Sequence, residues 1–151
     1  MDKIDKIIKE ELAKVVNETT NDYREPLLEM ARVGYMGKRG EYEVYVRTDD
    51  PGHVPHFHLR DSATQGKNFE TCIELKTNRY FLHGGYTDTL NSSQRKCLAN
   101  FMETPNEYFG NNYVATVYAW NTNNSTENIK IKKDEHGRII MPDYRTIMPN
   151  K

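Results

Sequence analysis

A series of short period-two segments, each closed by turn residues, constrains this fold more than any other feature. Glu41-Tyr-Glu-Val-Tyr-Val-Arg47 alternates and places Tyr42, Val44 and Val46 on one face of a strand. Asp49-Asp50-Pro51-Gly52 is turn sequence, and Phe57-His58-Leu59-Arg60 reads as the next strand. Residues 70–75 and 80–83 read as a hairpin around Lys76-Thr77-Asn78-Arg79, with Leu75 opposite Tyr80. In that register Ile73, Leu75, Tyr80 and Leu82 share an apolar face, while Cys72, Glu74, Phe81 and His83 share the other. Residues 113–120 are apolar or aromatic on both faces and are expected as a central strand. Ile129-Lys-Ile-Lys-Lys133 alternates as an edge strand does.

Helical spacing appears in three places. Ile4, Ile7, Ile8, Leu12, Val15 and Val16 form one stripe near the N-terminus. A short helix is expected over 24–32, with Pro26 in its first turn and Gly34 as its stop. Residues 92–103 form the clearest helix, with Asn91 and Gln94 as a capping box and Cys97, Leu98, Phe101 and Met102 as the buried face. The expected class is α+β: a mostly antiparallel sheet, with an N-terminal helix and one central helix packed on one side. One domain over 1–151 is expected, with a helical extension at 1–34, a core at 41–121 and a C-terminal strand and tail at 122–151.

Lys and Arg number 21 against 22 Asp and Glu, a net charge of −1, which disfavours a strongly basic nucleic-acid binder. The mean hydropathy is −0.86, yet 36% of residues are hydrophobic, enough for a core. The N-terminus has no apolar leader, no stretch approaches a membrane span, and the two cysteines, Cys72 and Cys97, form no motif. A reduced, cytoplasmic protein without a membrane partner is therefore expected.

The chemistry is concentrated in His53-Val-Pro-His-Phe-His58. On a strand, His56 and His58 point to one face about 6.6 Å apart, while Phe57 and Leu59 anchor in the core. Such a pair can converge on a divalent metal such as zinc, with His53 and His83 as the further ligands. It can also supply an acid and a base for phosphoester or acyl chemistry, with Lys38, Arg39 or Arg60 carrying charge toward a phosphoester, RNA included. The pair is expected to be partly open to solvent. Glu74 joins the candidate site if the second hairpin face adjoins it. His136 reads as a surface turn, and both cysteines as small core residues.

The phrase His53-Val-Pro-His-Phe-His-Leu59 resembles the signature of a widespread bacterial family of small proteins, a domain of unknown function. Its members carry a His, a Pro and a His-x-His strand, then a short hairpin with a Gly and a helix. Residues 70–85 and 91–101 correspond to those parts, so the resemblance covers the central third of the chain. The N- and C-terminal extensions here depart from the family pattern. The resemblance implies a link to toxin–antitoxin or mobile-element modules.

Two functional classes follow. One is a metal or enzyme site on His56 and His58. The other is a non-enzymatic interaction protein, which binds a partner or a second copy of itself through the N-terminal helix.

Overall fold

The computed structural model describes residues 30–47, 54–124 and 128–148. Its centre is a four-stranded antiparallel sheet in sequential order: β1 (Met30–Met36), β2 (Tyr42–Arg47), β3 (His56–Asp61) and β4 (Glu70–Glu74). The β1–β2 register slips between Arg32 and Gly34, a bulge that leaves Val33 as the extra residue. Directly opposed residues share a face. Val44 therefore stands beside Leu59, and Phe57 beside Ile73, on an apolar side. Tyr45, His58 and Cys72 line up across the other side. The middle of β2 and the start of β3 are buried on both faces, so the sheet is an interior layer.

Two helices follow the sheet, α1 (Ser92–Glu103) and α2 (Asn112–Asn123). The Asn91 side chain accepts from the Gln94 N–H and the Gln94 side chain accepts from the Asn91 N–H, closing a capping box at the start of α1. Leu98, Ala99 and Met102 are its buried residues, and Cys97 and Phe101 are partly buried. Gly34 lets α1 approach closely: a Cβ there would lie 3.1 Å from Phe101 Cζ. In α2, Asn111 accepts from the Val114 N–H at 2.9 Å. Tyr113, Val117 and Trp120, at helical spacing, bury against the sheet core.

The expected layout is corrected on these points. Residues 113–120 lie in a helix, not a central strand. Their apolar run is short and, apart from the partly buried Val114 and Tyr118, buried, so period alone does not separate strand from helix; Asn111 caps the helix that forms. Two helices follow the sheet rather than one. Residues 30–32, expected at the end of a short helix, begin β1, which pairs with β2 from Met30 onward. The stripe from Ile4 to Val16, and with it the expected N-terminal helix, lies outside the described residues.

The hairpin also differs. Ile73, not Leu75, pairs with Tyr80, and the Phe81 N–H donates to the Cys72 carbonyl at 2.9 Å. The slip is two residues, so every side chain keeps its face. The C-terminal tail pairs alongside this register. The Met148 N–H donates to the Asn78 carbonyl at 2.6 Å and the Tyr80 N–H to the Met148 carbonyl at 3.2 Å, so the tail lies along 78–80, while the Glu74 N–H donates to the Arg79 carbonyl at 2.9 Å and the Leu75 N–H to the Pro55 carbonyl at 3.0 Å. In the same tail Tyr144 is buried and its hydroxyl donates to the Glu74 carbonyl. The segment from Ile129 yields only a short pair, β5 (Lys132–Lys133) with β6 (Ile139–Ile140). Among the described residues no helix is long and apolar enough to cross a membrane.

Candidate metal centre

Strand β3 sends Phe57 and Leu59 into the core and His56 and His58 to the opposite side, as alternation requires. Pairing with β4 sets Cys72 directly beside His58. After the hairpin the chain returns over this face, and the rings of Phe81, His83 and Tyr86 lie against the two strand histidines. Ring centroids are 4.8 Å apart for His56 and Phe81, 5.3 Å for His56 and His83, and 4.8 Å for His58 and Tyr86. His56, His58, Cys72 and His83 each place one ligating atom so that all four lie within 4.8 Å of one another.

The orientation of the two strand rings is fixed. His56 Nδ1 lies 2.7 Å from the Val54 carbonyl, which only accepts, so Nδ1 is the donor of this bond. Both His56 Nε2 and His83 Nε2 are buried. His58 Nδ1 donates to Glu70 Oε2 at 3.0 Å, and the ring edge between its two nitrogens faces Cys72 Sγ, with Nε2 3.7 Å away. Nδ1 also lies 3.3 Å from that sulfur. The Tyr45 hydroxyl donates into the same Glu70 oxygen, and the Tyr45 ring stacks on His58 at 4.7 Å. Burial, then the Glu70 charge, push the Tyr45 hydroxyl far above its ordinary value, so it stays a donor. Gly66 (φ +90°) makes room here, because a Cβ on it would strike Glu70 Oε1.

The other sequence candidates sit elsewhere. Arg60 contacts Glu43 Oε1 through Nε at 2.8 Å and Nη2 at 2.7 Å, and its guanidinium covers the Tyr45 ring. Arg32 Nε binds the second Glu43 oxygen at 2.6 Å. Glu74 accepts from the Thr77 hydroxyl at 2.9 Å and is not among the four donors. His53 lies outside the described residues. His136 is exposed and 3.5 Å from Glu135.

The expectation that His56 and His58 are partly open is corrected. Both are 0% exposed, because the aromatic return segment covers the face that alternation alone would leave to solvent. Sequence reasoning passed over two members of the arrangement. Cys72 has the character of a small core residue, and Glu70 carries no motif. The signal for both was the β3–β4 register, which sets His58 against Cys72 and Arg60 against Glu70.

Zinc held at about 2.0–2.1 Å from nitrogen and 2.3 Å from sulfur gives tetrahedral edges of about 3.3 Å (N–N) and 3.6 Å (N–S). The His58 Nε2 to Cys72 Sγ separation of 3.7 Å is already one such edge. Since no pair exceeds 4.8 Å, the widest closes by about 1.5 Å at most. A buried His/Cys cluster with possible metal-binding geometry is thus in place. No family model, curated protein or solved structure matches the chain, and the cluster's meaning rests on its own geometry.

Proposed function

We propose that this is a metal-binding protein whose centre, His56, His58, Cys72 and His83, holds one divalent ion, with zinc best suited to the donors. One observation carries the reading: four nitrogen and sulfur donors from β3, β4 and the return segment converge within 4.8 Å. Support comes from the groups behind the rings. The Val54 carbonyl and the Glu70 carboxylate each take an Nδ1 proton, the arrangement that aims the opposite nitrogen at a metal and raises its basicity. Three imidazoles and one thiolate suit a borderline-soft ion rather than calcium or magnesium, which take oxygen.

Enclosure favours a four-ligand centre over an open catalytic one, since catalytic zinc keeps a position for water or substrate. Such a centre ties β4 and the return segment to β3.

Zinc binding to the folded state alone stabilises it by about 2.7 kcal/mol at a free concentration one hundred times the Kd. At about 2–4 °C per kcal/mol for a chain of this size, the midpoint rises by about 5–11 °C. Thermal unfolding of chelator-treated protein with and without zinc measures this. Magnesium at the same concentration should leave the midpoint unchanged. An unchanged midpoint with zinc as well would count against the metal reading.

A further inference from the structure

The four donors are not equivalent. His56, His58 and Cys72 are 0% exposed, and all three sit on the paired strands β3 and β4. His83 is only partly buried and lies where the chain turns. That turn is tight: the Tyr86 N–H donates to the His83 carbonyl at 3.0 Å, with Gly84 at φ +55°. Gly84 and Gly85 are exposed, and a Cβ on either would meet nothing within 4 Å, so the turn borders open space. Three ligands are therefore held by a sheet ladder in the interior. The fourth rides on a two-glycine turn at the surface, where small backbone changes cost little.

We propose that this centre is built for metal exchange, with His83 as its releasable ligand and a thiol- or imidazole-bearing acceptor taking the vacated position. The inference rests on the metal reading above and assigns it a direction of traffic. The ion enters and leaves past the His83–Tyr86 turn, and His56, His58 and Cys72 hold it until the acceptor has bound. The step exchanges one donor for another. The His83 nitrogen leaves the ion first and the acceptor's nitrogen or thiolate sulfur joins it, a thiol proton passing to solvent; further acceptor donors then displace His56, His58 and Cys72 in turn, the Cys72 thiolate taking a proton from solvent, and no electrons are transferred. The Tyr86 ring, 5.3 Å from His83 and 4.8 Å from His58, moves with the turn and uncovers the ion.

The test compares zinc-loaded full-length protein with His83→Ala, and with His83→Gln in case the smaller side chain impairs folding. Zinc release into an excess of a colorimetric chelator is timed. The variants should still hold one zinc per chain and release it at least about tenfold faster, the lower bound being what loss of a mere orienting partner costs in affinity. Added imidazole should restore slow release to His83→Ala by filling the open position. Cobalt in place of zinc gives a second readout. Its thiolate band should persist in His83→Ala, while its ligand-field bands shift and respond to imidazole. Release at the wild-type rate would overturn the proposal, as would a variant that holds no zinc at all. A wild-type chain that takes up no zinc would instead overturn the metal reading, and the proposal with it.

Discussion

Glu70→Ala is expected to lower the unfolding free energy by about 2–6 kcal/mol even without metal. The carboxylate is almost wholly buried and takes two donors on one oxygen, the Tyr45 hydroxyl and His58 Nδ1. Deleting it leaves both donors in a place that water does not reach, at about 1–3 kcal/mol each. Neither can escape by rotation, because the Tyr45 ring is stacked on His58 and covered by Arg60. Nor does Tyr45 ionise to suit, since burial holds its proton. Glu70→Gln keeps one acceptor oxygen and should lose less than half as much. Urea unfolding with an unchanged slope gives both values. A loss under about 1 kcal/mol for the alanine variant would show that this carboxylate does not organise the face. With zinc present the same variant should also bind about 10–100-fold more weakly, because His58 loses the group that orients it.

Trp120→Ala is the second large effect, at about 3–5 kcal/mol. Trp120 is the largest fully buried side chain of the described residues. It joins α2 to the sheet core and lies 5.4 Å from the His56 ring, so one side chain supports both the apolar layer and the histidine cluster. α2 ends one turn later, where the Asn124 N–H donates to the Trp120 carbonyl at 2.9 Å. The cavity left by alanine cannot be refilled by a neighbour on a strand whose register is fixed from both sides. Denaturant unfolding of the two proteins measures it. A cost under about 1 kcal/mol would mean that α2 is not packed as described.

What could be read from the chain was mostly local. The alternation at Tyr42–Arg47 marked β2, and the Asn91–Gln94 box marked the start of α1 within a residue. His56 and His58 were placed on one face by the two-residue period, and His83 and Cys72 on a common face by hairpin parity, which survived a two-residue slip. What was not legible depended on distant segments. Residues 113–120 are rich in strand-favouring side chains, yet they form a capped helix whose Tyr113, Val117 and Trp120 pack into the core. Glu70 became significant only through β3–β4 pairing across the 62–69 loop, and its partner Tyr45 only through β2–β3 pairing. The burial of the histidines depended on residues 81–86 folding back, a long-range event that no strand period encodes.

That enclosure also changes which substitution isolates the metal. Replacing His56 and His58 together would open a hole among Phe81, His83 and Trp120, and stability would fall for reasons unrelated to any ion. Cys72 is the better probe, because a buried thiol packs as a small apolar group and alanine removes only its sulfur. The most direct measurement is therefore elemental analysis of untagged protein, wild type and Cys72→Ala, each equilibrated with excess zinc and freed of unbound ion by gel filtration. The account predicts one zinc per wild-type chain and a near-complete loss in Cys72→Ala with the fold retained by circular dichroism. A wild-type chain that elutes without zinc, or a Cys72→Ala chain that keeps it in full, would contradict the central claim.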